Sequence, residues 1–379
     1  MKKILALILA AVLCLGMLAA CGGNGGEDQT PESTGESQEE QGAVAPETNL
    51  KFGLICYNLT DAVPVHIKNM MEAYADMLNV ELEVVAKNGA EGNMEAVEGF
   101  IQNGVDCVLS ASVEGIDAWF PKLEEAGIYL CIGATKVLSD VAKEAVEGSE
   151  YFLGQVNFND AEVMYTMVQA AYDDGATSEI GLIAPTNVTP NYLGIRKQAG
   201  LDKCAELGIT PLEGTGESYF DFAGFTTSLL ATYPDLGTFV SVTTPDSAYA
   251  AITQAEMNGK VKLYGINRAD NAVAAFEDGT LQAYCAGTEH CAAQFLIAYN
   301  FFMGRDLREN GQYIDLESAP LYVWNIEDQA KFDEGYGDKV LYDVNFMLQC
   351  DTLAELQRMV EKATLDNIVN GTYLDGVLD

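Results

Sequence analysis

From residue 50 onward, short apolar runs alternate with stretches of helical length that carry an apolar stripe, and this rhythm limits the chain to very few folds. "LKFGLICYN" is a strand, "VPVHIKNMMEAYADMLN" a helix, "VELEVVAKN" a strand and "EGNMEAVEGFIQNG" a helix. "VDCVLSAS", "GIDAWFPKLEEAG" and "IYLCIGA" continue as strand, helix and strand. Near-continuous apolar strands separated by crossover helices require a parallel sheet covered on both faces. After "YFLGQVNFND" the rhythm resumes, with helices at "DAEVMYTMVQAAYDDG", "YLGIRKQAGLDKCAELG" and "FAGFTTSLLATYP" and strands at "SEIGLIAPT", near "ITPLEGTGES" and at "LGTFVSVT". "PDSAYAAITQAEMNG", "VKLYGIN", "ADNAVAAFEDG" and "LQAYCAG" complete it. The pattern predicts an α/β protein of two Rossmann-like lobes with parallel sheets covered by helices, the second unit repeating the first.

The ends of the chain do not take part in that rhythm. Lys2 and Lys3 precede an apolar run, Ile4 to Leu18, that stops at Leu18-Ala19-Ala20-Cys21, a charged start, an apolar middle and small residues before a cut. Residues 1–20 read as a signal peptide. Residues 22–48, "GGNGGEDQTPESTGESQEEQGAVAPET", contain almost nothing to bury, so 21–48 reads as a flexible acidic tether. The "LAAC" tetrad resembles the lipobox of bacterial lipoproteins; that resemblance implies that Cys21 carries the lipid and holds the chain on the outer face of the bacterial cell membrane.

The 379 residues include 20 basic and 57 acidic ones. Without Lys2 and Lys3 the balance is 18 against 57, a net charge of −39, which argues against nucleic acid or an anionic membrane surface as partner. Of nine cysteines, Cys14 and Cys21 fall in the leader; the remaining seven, Cys56, Cys107, Cys131, Cys204, Cys285, Cys291 and Cys350, show no CxxC spacing. They read as buried thiols with room for one disulfide.

Leader, tether and twin α/β units together resemble the substrate-binding lipoproteins of ABC importers, of the type 1 periplasmic-binding class that includes ribose-binding-like proteins. The resemblance spans roughly residues 50 to 325. It implies two lobes joined by a multi-strand hinge, 49–156 plus 286–330 forming lobe 1 and 157–285 lobe 2. It also implies a monomer that closes on a small polar solute, a carbohydrate first, and delivers it to the permease membrane subunits, with no cofactor and no metal. The extension 331–379 is expected on lobe 2 or the hinge.

In open α/β sheets ligands lie beyond the carboxyl ends of the strands, and this principle with the resemblance selects the candidate residues. After the first strand come Tyr57, Asn58, Asp61 and His66, of which Tyr57 offers a ring face and a hydroxyl, while Asp61 serves equally as a helix cap. Ser110 and Ser112 follow the third strand, as ligand contacts or as caps of the helix around Trp119. The fourth strand ends in Gly133-Ala134, where sugar-binding relatives commonly carry Asp-Arg. In lobe 2, Arg196 and Lys197 precede Gly200, and as adjacent helix residues only one of them faces the cleft. Asp246 either caps a helix or binds ligand, Asn267 with Arg268 stands where relatives place a sugar-binding aspartate, and Glu289 and His290 sit near the return hinge with Thr288 as helix cap.

No GxSxG elbow, HExxH helix or phosphate-cradling glycine loop is present, so catalysis has no motif to rest on. Nucleoside or furanosyl-signal binding, and a sensor that reports solute to a membrane receptor, remain open beside sugar import.

Overall fold

The structure, a computed structural model, describes residues 49–187, 191–336 and 342–378. The signal peptide, Cys21 and the acidic tether lie outside the described residues. Every described element falls within one compact unit, Ala43–Asp379.

The first half alternates as the hydrophobic pattern requires: β1 (Lys51–Cys56), α1 (Ala62–Leu78), β2 (Glu81–Ala86), α2 (Gly89–Asn103), β3 (Cys107–Ser110), α3 (Ile116–Ala126), β4 (Tyr129–Gly133), α4 (Asp140–Val146) and β5 (Phe152–Phe158). The second half repeats it: α5 (Asp160–Asp173), β6 (Glu179–Ile183), α6 (Tyr192–Leu207), β7 (Thr210–Glu213), α7 (Phe222–Thr232), β8 (Thr238–Ser241), α8 (Asp246–Gln254), β9 (Lys262–Ile266), α9 (Ala272–Glu277) and β10 (Leu281–Ala286). A 3₁₀ turn at Thr288–Ala292 then leads into α10 (Ala293–Phe302), where the sequence suggests one continuous helix. Strands β11 (Ile314–Ser318) and β12 (Leu321–Val323) follow, and helices α11 (Ile326–Tyr336), α12 (Val344–Met347), α13 (Leu353–Lys362) and α14 (Leu365–Val369) close the chain.

Two six-stranded sheets result, in the orders β11-β5-β4-β3-β1-β2 and β12-β10-β9-β8-β6-β7. The first is parallel throughout, with Leu54 of β1 level with Val84 of β2 and Leu109 of β3. In the second only β12 runs antiparallel, against β10. The central strands are fully buried, as in β3, β5 and β8, because helices cover both faces. The chain crosses between the sheets three times, after β5, after β10 and between β11 and β12.

The third crossing corrects the expected boundary. With β12 hydrogen-bonded to β10, the residues from Leu321 belong to the second lobe, and the first lobe does not extend to residue 330. The extension is also placed more widely than expected: α11 lies on the second lobe, where Tyr284 of β10 donates to Gln329 at 2.8 Å, whereas Ala319 N donates to the Val360 carbonyl of α13 at 3.1 Å beside the first sheet. All seven cysteines among the described residues are buried and unpaired. Burial pushes the Cys56 thiol up to about 12 and those of Cys204 and Cys350 to about 11. No helix among the described residues is long and apolar enough to cross a membrane.

Candidate functional site

The carboxyl ends of β4 and β9 bend in the same way. Ala134 (φ 61°) and Asn267 (φ 80°) both adopt the left-handed conformation directly after their strands, which are the fourth of each unit. Non-glycine residues are uncommon there, Asn less so than Ala, and the two bends stand at equivalent places in the two units. Gly133 cannot carry a side chain: a Cβ there would stand 2.6 Å from Gln294 Nε2 and 2.7 Å from Cys291 Cβ. The absence of an Asp-Arg pair at this strand end thus follows from how closely the 3₁₀ turn and α10 approach β4.

Arg196 is the centre of the polar arrangement. Its guanidinium is buried, at 2% exposure. Nε donates to Asp160 Oδ1 at 2.7 Å, Nη1 donates to the Val242 carbonyl at 2.9 Å, and Nη2 reaches Asn267 Oδ1 at 3.5 Å. The planar cation lies over Phe158 (5.3 Å) and Tyr192 (5.0 Å). Asp160 begins α5 immediately after the first crossing, and its other oxygen accepts from Asn157 at 3.1 Å. Asn267 is fixed by its own backbone, its N–H donating to the Cys285 carbonyl at 2.7 Å.

Successive helix residues differ by about 100° in direction, and Lys197 accordingly points elsewhere. Its ammonium donates to the carbonyls of Pro185 and Thr186 at 2.8 and 2.9 Å and pairs with Glu213 at 2.6 Å, so all three protons are taken. Lys197 therefore ties α6 to the loop after β6 and is corrected from candidate ligand to brace.

At the front of the cleft, the half-buried Tyr57 approaches the second lobe. Burial raises its hydroxyl pKa first, and the nearby Tyr192 adds to the effect. Tyr192 is itself raised by burial and held back by Arg196. Arg268 Nη1 donates to His66 Nδ1 at 3.4 Å, joining the second lobe to the first turn and a half of α1, and its guanidinium lies 5.5 Å over the Phe332 ring. Asp61 is exposed near Asp270, whose carboxyl is pushed up first by burial and then by Asp246, with Asp61 adding to the shift.

Several other candidates are occupied by the chain itself. Asn58 Oδ1 accepts from Thr60 N, Thr60 Oγ1 and Asp61 N, and its amide donates to Asp61 Oδ2 at 2.7 Å. Asn58 builds the turn that enters α1, with Asp61 as N-cap residue by position but without a side-chain bond into the helix. Ser110 Oγ donates to the Ser112 carbonyl and accepts from the Ser112 N–H, while Ser112 Oγ accepts from Asn93 at 2.9 Å; neither caps α3, whose N-cap is Gly115. Asp246 accepts from Thr244, from the Asp270 and Asn271 N–H groups and from the Asn271 amide, clamping the loop after β9.

Glu289 and His290 lie on the sealed side of the hinge. Glu289 is 1% exposed and accepts from Gly287 N at 2.9 Å. His290 is fully buried with Nδ1 2.5 Å from the Tyr342 hydroxyl, and burial lowers its pKa to about 3 against the opposing pull of the Ala319 carbonyl. The N-cap of the 3₁₀ turn is Gly287 rather than Thr288. Asp160, Phe158 and Tyr192 escape the sequence reading; the one signal for them is their position, Asp160 and Phe158 in "NFND" where the first unit ends, and Tyr192 one turn before Arg196.

Two concavities lie away from this arrangement. A groove of about 710 Å³ lies on the second lobe among Tyr165, Lys203, Tyr264 and Trp324, and one of about 290 Å³ follows the hinge at Asn159, Glu317 and Pro320. Neither gathers charged and aromatic groups from both lobes as the Tyr57–Tyr192–Arg196–Asn267 arrangement does. Arg268 against His66 is a contact between the two lobes at the edge of this arrangement.

No family model and no curated relative matches the sequence. Solved structures do match. A substrate-binding protein of a sugar ABC transport system from Bordetella parapertussis 12822 superposes with a TM-score of 0.64 at 18% identity, over 78% of this chain and 95% of its own. An ABC transporter solute-binding protein from Agrobacterium vitis, bound with alpha-D-tagatopyranose, gives 0.62 at 16% identity over 74% and 95%. A periplasmic solute-binding protein from Actinobacillus succinogenes 130z with bound D-allose gives 0.61 at 20% over 73% and 98%. The chain has the two-lobed fold of the type 1 periplasmic binding proteins.

Proposed function

We propose that this protein is the extracytoplasmic solute-binding component of an ABC importer, which captures a small polar solute, a sugar, between its two lobes and hands it to the permease. The observation that carries this reading is the cluster of Arg196, Asn267 and Tyr192 at the strand ends of the second lobe, beside which Arg268 reaches His66 of the first lobe at 3.4 Å. Aromatic faces beside amide and guanidinium donors suit a ring that presents C–H surfaces and hydroxyls. The sugars bound in structures of the same fold support the class of solute. The chemistry is binding alone: contacts from both lobes favour the closed state, and that shape is what a membrane partner reads. In this reading residues 1–20 direct export, Cys21 is lipidated, and the acidic tether holds a monomer off the membrane.

The test is native mass spectrometry of the chain from Gly22 onward, purified from cells and then offered a pooled library of sugars, nucleosides and amines. A bound species with the mass of a sugar, lost in Asn267→Ala, is the expected result. A nucleoside mass selects the nucleoside reading, and an amine mass moves the binding role to Asp61 and Asp270 at the mouth. Failure of every member to bind removes the solute-capture function.

A further inference from the structure

One contact between the lobes is made by two basic side chains. Arg268, in the loop after β9, donates from Nη1 to Nδ1 of His66 at 3.4 Å, and His66 belongs to α1 of the first lobe. Arg268 is held from behind: its guanidinium lies 5.5 Å over the Phe332 ring, and its carbonyl accepts from Thr244 Oγ1 at 2.9 Å. His66 is buried on the inner face of its helix.

An imidazole accepts a hydrogen bond at Nδ1 only while it is neutral, with its proton on Nε2. Protonation makes Nδ1 a donor facing a donor, and it sets a second positive charge beside a guanidinium that keeps its own at every relevant pH. At this separation two like charges repel by more than thermal energy even with the screening of water. A contact that joins the lobes while His66 is neutral therefore pushes them apart once it is charged.

The ionisable groups on the neighbouring elements do not reverse that sign. On α1 itself Lys68 is paired with Glu72, and the Asp61 carboxylate accepts from Asn58 and Thr60. At the end of β1, burial raises both the Cys56 thiol and the Tyr57 hydroxyl, so each is neutral; β2 carries Glu81 and Glu83 on Lys51, at the far end of the sheet. The 3₁₀ turn packed on α1 brings Cys291, which burial keeps neutral, His290, whose pKa burial lowers to about 3, and Glu289, which holds Gly287 N. Asp270 is the carboxylate beside Arg268. Burial and then Asp246 raise its pKa, so acidification diminishes its attraction for an imidazolium as well.

We propose that His66 and Arg268 form a pH-sensitive latch on the cleft, which holds the lobes together while the imidazole is neutral and releases them, with the bound solute, on its protonation. The release of solute rests on the proposed function; the movement of the lobes does not.

Single-molecule fluorescence energy transfer on the full-length chain in detergent micelles, with Cys14→Ser and Cys21→Ser, tests this. Dyes are carried by Val141→Cys of α4 and Val273→Cys of α9, exposed residues on equivalent helices of the two lobes, the remaining native cysteines being buried. From about pH 8 to about pH 5, the range over which an imidazole gains its charge, the population is expected to shift to the longer distance and solute affinity to fall about tenfold. His66→Gln, which takes no proton, and Arg268→Gln, which removes the opposing charge, are each expected to abolish the shift. His290 titrates alike in all three proteins, so their differences report the latch alone. A shift that survives either substitution, no shift in the unsubstituted pair, or a shorter distance in acid overturns the latch; should one variant fail to fold, the other carries the same test. Native mass spectrometry with the pooled library separates the two readings. Lobes that part in acid in a chain binding no solute leave the latch standing and remove solute capture. A solute held equally at both ends of the range, at an unchanged distance, removes the latch alone.

Discussion

Replacing Arg196 with methionine keeps most of the side-chain volume and removes the charge. Asp160 is 6% exposed, and after the substitution it would keep only the Asn157 amide at 3.1 Å. Breaking a buried pair from one side costs about 3–5 kcal/mol, because the remaining carboxylate stays desolvated without its counter-charge. The Val242 carbonyl also loses its donor at 2.9 Å. Removing the stranded charge as well, with Asp160→Asn, is therefore expected to restore about 2 kcal/mol of that loss. In a double-mutant cycle the pair should couple by about 2–3 kcal/mol, near the upper end for residues in direct contact. Urea unfolding with an unchanged m-value measures this. Solute binding, read in parallel by native mass spectrometry, should stay lost in the double variant, since Asn267 Oδ1 and Tyr192 then have no guanidinium beside them. Strict additivity of the two substitutions, or a single-variant cost below about 1 kcal/mol, refutes the ion pair as the element that organises this surface. Recovery of both stability and binding in the double variant would show Arg196 to be structural only.

Three further outcomes follow from the same geometry. With the His290 pKa lowered to about 3 from 6.5, the unfolded chain binds more protons between those values, so stability is lost as pH falls below 6.5 and is unaffected above it. Against His290→Gln, the wild type should lose relative stability by about 1.4 kcal/mol per pH unit over that window, measured by urea unfolding at each pH; parallel pH profiles contradict the burial of a neutral ring. Ala134→Val should lower Tm with a cost above about 1 kcal/mol because a β-branched residue is forced to positive φ, whereas Ala134→Gly should stay within about 0.5 kcal/mol, its relief of strain offset by chain entropy. Gly133→Asp, which would install the first residue of the Asp-Arg pair that the sequence resemblance implies, should destabilise by about 1–3 kcal/mol through contact with Gln294 and Cys291; a neutral effect on Tm shows that the 3₁₀ turn yields easily.

The two sheets are legible because strand and helix periods differ and most strands up to β10 fall on apolar runs; β7, Thr210–Glu213, does not, being four residues with a proline and a partly exposed edge position. The third crossing was not legible, since β12 has only three residues and its membership in the second sheet depends on a long-range pairing of Leu321 with Ala286. Arg196 and Lys197 were equivalent by spacing; what separates them is the phase of α6 relative to both neighbours, the Asp160 side and the Glu213 side, and neither neighbour is close in sequence. Asn58, Ser110, Ser112 and Asp246 illustrate one recurring ambiguity. A short polar side chain after a strand satisfies its own loop as readily as a ligand, and in all four the loop has it. Glu289 and His290 read from the sequence as hinge residues within reach of the cleft, because nothing in "AGTEHCAAQ" reveals that Tyr342, far along the chain, packs on His290.

The equivalent bends after β4 and β9 give this asymmetry its physical origin. Duplicated α/β units deliver the same left-handed residue to the same place, and symmetric lobes would grip a solute with equal polar contributions. Here Ala134 has no polar group to offer, and Gly133 is too crowded to acquire one, whereas Asn267 keeps an amide beside the guanidinium of Arg196. At these two strand ends the polar side chains stand on the second lobe, and in the proposed function the first lobe adds the face of Tyr57. In the proposed function this divides the work by lobe: a solute would first be held by the second lobe's donors, and closure would add stacking and exclusion of water. Loss of Tyr57 would then weaken closure more than initial capture, whereas loss of Asn267 would remove capture itself.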